Sequence, residues 1–487
     1  MTDAIKDFIF DLHEATRYHK NVDDIQRLYE GKFRELSEKY FSQSPWPSTK
    51  IVAPECCFDE DFLLFYREMA LRHLFSKQKP TLSHHLEAWN SYMNLFTFLM
   101  SSKTADMMIS SQWAHEIVQE FVYHFQDFCQ FRAQVSQRTE EEINVLQMNK
   151  SVWSLAEMRR ILNGLSTFVA IPTSSTSSYE HIHDLIGYFS VIENARLECL
   201  LSDYTSSLQI VDPSKLLDRS EVFTSVPTCY ANASYHAGIS MLMSRKYASV
   251  IDVVSEIVLQ ISRQLKPGAA VLKQHVQQSL QKTLDKILAV AAIAVSLNPG
   301  HRVDDQVLEI IDGKWGEKMK RMQFGDLSAF IDIFETNCPK FISPAYPDFK
   351  TPINACHEAF KGQIALFSNE VSRQVSKVKI RSFLRLYSSI RVKKMATLND
   401  STDEEFSGKL LAHKCRVIGL HSLSSEGIDP AKLPQSDVHY YIQCGNLMIE
   451  SGSGKNEKSR ATERYFTSGV RKHSELMNSV VISNHRS

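Results

Sequence analysis

The basic segment 380–400, IRSFLRLYSSIRVKKMATLND, is the stretch of this sequence whose residue types most directly suggest chemistry. It carries Arg381, Arg385, Lys393 and Lys394, and its apolar spacing predicts two short helices with a break between them. Two basic helices at a tight turn are typical of helix-turn-helix DNA recognition, in which cationic side chains contact phosphates. The same residues would also suit a surface that binds an acidic protein partner.

The charges around this segment favour the protein partner over the DNA duplex. The next predicted helix begins with Asp403, Glu404 and Glu405, at the place where a recognition helix would approach phosphates. The helical period also spreads the basic residues over more than one face, because Arg381 and Arg385 share a side that Lys393 need not share. We therefore expect a protein-docking winged helix, with at most a weak RNA contact that arises from charge alone.

Other chemical patterns are incomplete. The stretch 451–455, SGSGK, resembles a phosphate-binding loop, but Ile449 and Asn456 stand where that motif needs glycine and a hydroxyl residue. The histidine pairs at 84–85 and 181–183 lack the H-E-x-x-H spacing of a zinc site, and no G-x-S-x-G is present. The sequence thus predicts no catalytic, cofactor-binding or metal site. A hydrolase with dispersed catalytic residues is the alternative from another class, and nothing in the chain supports it.

Composition limits the class of protein. The chain of 487 residues is 43% hydrophobic and 23% charged, with a net charge of -1, whereas a general nucleic-acid binder carries a basic excess. Nine cysteines without a C-x-x-C favour reduced thiols in the cytosol or nucleus. The charged N-terminus does not resemble a signal peptide, and the longest apolar run, 287–295, is too short to span a bilayer. We expect a protein that does not enter the membrane.

Helical periodicity dominates the chain before about residue 420. A polar loop at 172–178 and the proline-rich stretch 338–352 interrupt it, and four prolines exclude a continuous helix in the second. Between them Ala195 precedes Tyr204 by nine residues, as Gly238 precedes Tyr247. A small residue nine positions before an aromatic one is typical of tetratricopeptide-like helical hairpins, although generic helix packing explains two copies nearly as well.

The pattern changes after residue 378. Three short helices are predicted, and an alternating hairpin follows them around Gly445, which is the order of a winged helix. The apolar residues that define the three helices are Phe383, Leu384, Tyr387 and Ile390, then Val392, Met395, Ala396 and Leu398, then Phe406, Leu410 and Leu411. A final helix carries a narrow heptad seam, Phe466, Val470, His473 and Met477, suited to docking on partner helices.

These elements predict an all-α chain, in which a helical-repeat, tetratricopeptide-like array is followed by a winged helix and a C-terminal helix. We expect an N-terminal helical region at 1–172, a repeat region at 179–377, the winged helix at 378–452 and the last helix at 457–482. The candidate protein-interaction residues are Arg381, Arg385, Lys393 and Lys394 in the winged helix and Phe466, Val470, His473 and Met477 in the last helix.

Several segments resemble a known family, subunit L of eukaryotic translation initiation factor 3. They are YEGKFRELSEKYFSQSPWP (29–47), IGYFS (186–190), MLMSRKY (241–247), WGEKMKRMQFGDLSAF (315–330), CPKFISP (338–344) and IRSFLRLYSSI (380–390). The matches are colinear, and no general structural rule demands them. The chain departs from the family in a shorter loop near Pro172, a more basic run at 391–394 and a poorly matched segment after Cys415.

The resemblance implies a PCI domain, in which helical repeats are capped by a winged helix. It also implies a non-catalytic, cytoplasmic scaffold without cofactors, which supports assembly of the factor on the small ribosomal subunit and mRNA recruitment. Subunit K and other PCI subunits are the implied partners, with winged helices packed edge to edge and C-terminal helices gathered in a bundle, and the ribosomal contact is indirect. The alternative is a PCI subunit of another assembly, of the proteasome-lid or signalosome type.

Overall fold

Helices form most of the chain, and their bounds come from a computed structural model. It describes residues 2–19, 21–101, 107–170, 178–211, 226–265, 273–299, 301, 303–350, 356–422 and 438–451. The chain divides into two units, Met1–Ser368 and Asn369–Ser487. Among the described helices, none combines the length and apolar character needed to cross a bilayer.

The first unit opens with an N-terminal helical region. Its helices are α1 (Asp3–Glu14), α2 (Val22–Arg27), α3 (Phe33–Tyr40), α4 (Thr49–Val52), α5 (Glu60–Lys77), α6 (Leu82–Met100), α7 (Ser111–Ala133), α8 (Glu140–Met148) and α9 (Leu155–Ser166). A π-helical segment, Ala15–His19, continues α1, and a second one, Leu28–Lys32, joins α2 to α3. Side-chain caps mark the N-termini of several helices. At the start of α5, the Asp59 carboxylate accepts hydrogen bonds from the backbone amides of Asp61 and Phe62.

The rest of the first unit is the helical-repeat array. Its helices are α10 (Ser178–Leu200), α11 (Tyr204–Ile210), α12 (Pro227–Met243), α13 (Tyr247–Gln264), α14 (Gln274–Leu297), α15 (Asp305–Gln323) and α16 (Leu327–Asn337). The predicted hairpins are confirmed, since Tyr204 and Tyr247 each begin the second helix of a pair. At Gly238 an added Cβ would lie 3.6 Å from Val290 and 3.7 Å from Val254, so a side chain larger than alanine would meet the neighbouring helices.

The turns of three hairpins share one backbone geometry. Ser202, Arg245 and Gly325 each adopt a left-handed conformation, with φ of 68°, 65° and 86°, two residues after a helix ends. In each case the next amide donates to the carbonyl five residues earlier, at 2.9 Å for Asp203 and Lys246. This bond is that of a Schellman motif, which satisfies carbonyls left over at the helix end. The third hairpin, α15–α16, was not predicted, because Lys318 and Leu327 stand where the other copies have a small and an aromatic residue.

The proline-rich segment is non-helical over its described part, 338–350, as predicted. Phe341 and Ile342 are buried, and the Ile342 amide donates to the Leu200 carbonyl at 2.9 Å. The apolar run 287–295 lies within α14, and every residue of the run is buried, which confirms a core helix.

The second unit has a winged-helix order. The long helix α17 (Glu358–Leu386) contributes its last residues to this unit, and β1 (Ser389–Arg391), α18 (Val392–Leu398), α19 (Asp403–Ser422), β2 (Val438–Gln443) and β3 (Asn446–Ser451) follow. The three strands pair antiparallel in the order β1-β3-β2. The predicted fold class, a helical array followed by a winged helix, is confirmed. The predicted C-terminal helix lies outside the described residues.

Two details of the predicted winged helix differ from the structure. Ile390, assigned to the first helix, lies in β1 opposite Leu447, because its side chain reaches the core from a strand. Leu411 lies in the third helix as predicted, on its exposed side, with 65% of its surface exposed. The sequence predicts a core of Phe383, Leu384, Tyr387 and Leu410. Leu384 and Leu410 are 1% exposed and belong to the core, whereas Phe383 and Tyr387 are only partly buried and pack against it.

We expect Leu384→Ala to destabilise the second unit by about 2–5 kcal/mol, because the lost side chain leaves a cavity in the core. Phe383→Ala should cost less, since part of that ring is already exposed to solvent. Hydrogen exchange of the β2 and β3 amides in the full chain measures both effects. An equal or larger effect of Phe383→Ala would contradict the core described here.

Buried histidines make the first unit sensitive to acid. Burial lowers the pKa of His85 to about 4, that of His115 to about 4 and that of His124 to about 3. His124 is 1% exposed, and its ring packs 4.1 Å from the ring of Phe75. These residues stay neutral in the folded chain and gain a proton more readily when it unfolds, where the pKa is about 6.5.

We therefore expect the free energy of unfolding to be fully retained above about pH 6.5 and to fall as the pH drops towards the folded-state pKa values, by about 1.4 kcal/mol per pH unit for each such histidine. His124→Phe removes one of these titrating groups, so it should reduce the dependence of the free energy of unfolding on pH by the contribution of one histidine. Any loss of packing energy in the variant does not depend on pH and does not affect this slope. Urea unfolding between about pH 7 and pH 5 measures the slope. An unchanged slope would show that His124 is not held neutral.

Candidate interaction surfaces of the winged helix

The predicted basic residues fall into a described and an undescribed group. Lys393 and Lys394 lie on α18 and are exposed. The Lys393 ammonium is 4.0 Å from the Asp403 carboxylate, and the two side chains are 88% and 48% exposed. Such a pair contributes little to stability, so Lys393 is available to other anions. Arg381 and Arg385 lie on α17, but their side chains are outside the described part of the structure.

The other four predicted residues, Phe466, Val470, His473 and Met477, lie outside the described residues. The structure therefore brings together Lys393 and Lys394 only, on one short helix of the second unit.

The start of α19 carries the acidic side chains that the sequence placed there. Thr402 accepts the Glu405 amide at 3.3 Å, which caps the helix. Asp403, Glu404 and Glu405 are all exposed in the first turn. Carboxylates at a helix N-terminus are stabilised by the helix dipole. If this N-terminus entered a DNA groove, however, the same carboxylates would repel the phosphates. The geometry therefore suits a partner with mixed charges better than a duplex.

The wing is a tight hairpin with an exposed tip. Cys444 and Gly445 form its two-residue turn, with φ of 49° and 74°, as a type I′ turn requires. Near the tip, Tyr441 and Ile442 on β2 are 46% and 51% exposed. Among the described residues β2 pairs with β3 alone, so no described strand covers its outer edge.

The base of the wing is fixed to α19 by Tyr440. Its side chain is buried, and its hydroxyl donates to the Leu410 carbonyl at 2.8 Å and lies 2.9 Å from His413 Nδ1. The Lys414 ammonium donates to the Tyr440 carbonyl at 3.1 Å. These bonds give the exposed tip a rigid support.

Sequence reasoning missed the open edge, although it found the hairpin. The signal was available at Tyr441 and Ile442, because two bulky apolar neighbours on one edge strand cannot both face the core. It also missed β1, which is only three residues long.

Of the histidines considered for a metal site, His183 has its Nε2 atom 3.0 Å from the Leu99 carbonyl oxygen. In the described residues, no group of three potential metal ligands was found.

Comparison with known proteins identifies the family. The family described as RNA polymerase I-associated factor PAF67 matches residues 84–473. Eukaryotic translation initiation factor 3 subunit L of Nematostella vectensis is 32% identical over 464 residues, which cover 92% of this chain and 87% of that protein. The human subunit L is 31% identical over 443 residues, covering 87% of this chain and 78% of the human protein. This chain belongs to the subunit L family.

Membership in the subunit L family confirms the resemblance seen in the sequence. The zebrafish subunit L is likewise 30% identical over 443 residues, so the similarity extends across distant animals. It does not favour the proteasome-lid or signalosome alternative. The exposed edge of β2 and the two lysines of α18 are thus surfaces of a subunit L family member.

We expect the double variant Lys393→Ala and Lys394→Ala to change the free energy of unfolding by no more than about 0.5 kcal/mol, because both side chains are exposed. Any RNA affinity of the full chain should be weak, and the variant should reduce its salt slope by about 1 for each lysine that contacts phosphate. Fluorescence anisotropy with a labelled random-sequence RNA across a salt series measures both. Tight, salt-tolerant binding of one chosen sequence would contradict the charge-only contact.

Proposed function

We propose that this chain is a non-catalytic scaffold subunit of eukaryotic translation initiation factor 3 in the cytoplasm. In this role it supports assembly of the factor on the small ribosomal subunit and recruitment of mRNA, without a cofactor. The observation that carries the proposal is an open, rigidly supported sheet edge in a member of the subunit L family. The relatives are named as subunits of an initiation factor, which supports a structural role over an enzymatic one.

The open edge provides a specific mode of association, β-strand addition. In a two-residue hairpin the residues that close the turn, Gln443 and Asn446, bond to each other, and every second residue of β2 then faces β3. The Ile449 amide of β3 donates away from β2, to Ser388 at 2.9 Å, which agrees with this alternation. Tyr440 and Ile442 therefore direct their backbone groups to the open edge.

Ile442 is the position through which a partner strand would bind. The Tyr440 carbonyl already accepts from Lys414, whereas Ile442 offers an amide and a carbonyl beside an exposed apolar side chain. A strand added here gains backbone hydrogen bonds and covers the side chains of Tyr441 and Ile442. We assign this edge to the winged helix of another PCI subunit, with subunit K as the first candidate.

The remaining predicted residues complete the proposal. Arg381, Arg385, Lys393 and Lys394 would pair with acidic groups of a partner, and any RNA contact there would be weak. The seam of Phe466, Val470, His473 and Met477 would join a bundle of C-terminal helices. In this arrangement the regions 1–172, 179–377, 378–452 and 457–482 act as the N-terminal, repeat, winged-helix and bundle parts of the scaffold.

Ile442→Pro tests the edge. Proline removes the outward amide but no bond to β3, so the hairpin should persist while strand addition is lost. We expect the variant to fold and to recover at most about a tenth of the normal amount of partner subunits, as a loss of about 1.4 kcal/mol implies. Affinity purification of the full chain followed by quantitative mass spectrometry measures recovery.

Two controls make this experiment specific. Leu411→Lys changes an exposed leucine of the same unit that is not on the edge, and it should leave recovery unchanged. Truncation after Ser459 removes the proposed bundle helix and should lower recovery without unfolding the chain. Normal recovery with Ile442→Pro would disprove the edge assignment. Recovery of RNA polymerase I subunits in place of initiation factor subunits would disprove the function itself.

A further inference from the structure

A second exposed surface lies on the first unit, and the proposed function does not use it. It is formed by three aromatic side chains, Phe10, Tyr18 and Phe58, which are 51%, 69% and 68% exposed. We call this surface the acidic aromatic patch. Single exposed aromatic residues are ordinary on protein surfaces, whereas several at one place mark an interaction site.

Ion pairs place Phe10 and Phe58 on two chain segments that face each other at one seam. The Lys6 ammonium lies 3.8 Å from Glu55, and His13 Nε2 lies 3.1 Å from the Asp59 carboxylate. Both pairs join α1 to the segment that precedes α5. Phe10 lies between Lys6 and His13 on the same stripe of α1, since the spacings are four and three residues. Phe58 lies between Glu55 and Asp59 in the facing segment, so the backbones of both aromatic residues lie at the seam.

Tyr18 extends the patch, and Arg17 makes it rigid. The Tyr18 ring stands edge-on to His13, with 6.0 Å between centroids. Arg17 donates from Nε to Asp59 at 2.6 Å and from Nη2 to Asp61 at 2.9 Å. The seam is therefore clamped by charged hydrogen bonds, and the aromatic side chains project from a fixed frame.

The backbone at Phe58 is strained, and its ring is exposed to solvent. Cys57 and Phe58 are consecutive non-glycine residues with φ of 53° and 60°. Left-handed backbone is unfavourable for such residues, and for a bulky one it is rare. The Phe58 amide donates to the Ala53 carbonyl at 2.8 Å, which holds the turn. Glycine would be more stable there, and the exposed ring gains nothing from burial, so folding alone does not explain Phe58.

The charge around the rings indicates what they would bind. The two segments of the patch, 3–17 and 50–61, contain eight acidic residues and three lysines or arginines, although the whole chain is nearly neutral. Four of the acids are ion-paired, Glu55 by Lys6, Asp59 and Asp61 by Arg17, and Asp11 by Lys32 from outside the two segments. Asp3, Asp7 and Glu60 are among the exposed acids. Carboxylates repel RNA and attract cations, and the faces of aromatic rings attract the same cations.

We propose that the acidic aromatic patch docks a basic peptide segment of a partner protein. Arginine or lysine side chains of that segment lie on the rings of Phe10, Tyr18 and Phe58 and pair with the surrounding carboxylates. The site is separate from the edge of β2 and does not depend on the proposed function.

Fluorescence anisotropy of the full chain tests the site with three labelled twelve-residue peptides, (Arg-Gly-Ser)4, (Lys-Gly-Ser)4 and (Glu-Gly-Ser)4, and with a twelve-nucleotide oligouridine. We expect the arginine peptide to bind most tightly, with a Kd below about 100 µM at low salt, the lysine peptide less tightly, and the other two not measurably. Salt should weaken the binding, because both partners are exposed charges.

Matched variants locate the binding on the patch. Phe58→Gly removes the ring and relieves the strained backbone, so the variant should fold normally. It should weaken arginine-peptide binding about tenfold, and Phe10→Ala should weaken this binding by a similar factor. Cys57→Gly relieves the same turn but keeps the ring, and Phe324→Ala removes an 89% exposed ring elsewhere in the unit, so both should bind as the parent chain does. Equal binding by all four variants, no binding of either basic peptide, or preference for oligouridine would overturn the proposal.

Discussion

One buried arginine joins the two halves of the first unit. Arg132 on α7 is 2% exposed, and its Nη2 donates to the Pro344 carbonyl at 2.8 Å, 212 residues later in the chain. Its guanidinium also lies 4.3 Å from the centre of the Tyr346 ring. A charge this deeply buried is tolerable only when it is paired or stacked, so the proline-rich segment must stay against α7. The prolines prevent a helix there, and the carbonyls stay free to accept, as Lys340 also does from Gln126 at 3.0 Å.

This contact adds to the packing of α10 on α7 and α9, which joins the repeat array to the N-terminal region. Within the array, α14 is the shared helix. Helices α12, α13, α15 and α16 all pack on α14. Its alanines, Ala289, Ala291, Ala292 and Ala294, are buried and let these neighbours approach closely. Small residues at a shared helix therefore perform the function that Gly238 performs at a single crossing. Close packing of this kind restricts the motion of the helices against one another, which suits a scaffold that holds binding surfaces in fixed positions.

The sequence was most informative where a pattern extends over several turns of helix. The hairpins at Tyr204 and Tyr247, the core helix at 287–295 and the wing were all predicted because each pattern is long or repeated. Ile390 was misassigned because it continues the helical spacing of Phe383 and Tyr387, and a three-residue strand is too short to show alternation. The acidic aromatic patch could not be predicted, because Phe58 lies in a left-handed turn that its residue type disfavours.

The two proposed docking surfaces differ in the interaction that selects the partner. The patch works through exposed charges and ring faces, so it tolerates many basic sequences and depends on salt. The edge of β2 binds through backbone groups, which are the same in nearly every sequence. Its specificity must therefore come from the register in which the partner strand pairs with β2. Lys414 helps to set that register, because its ammonium donates to the outward carbonyl of Tyr440. Ile442 is then the outward residue near the tip whose backbone amide and carbonyl can both bond to a partner strand. A partner strand that slid by two residues towards the base would meet an acceptor already in use, so the same lysine that fixes the wing to α19 also favours one alignment of the partner.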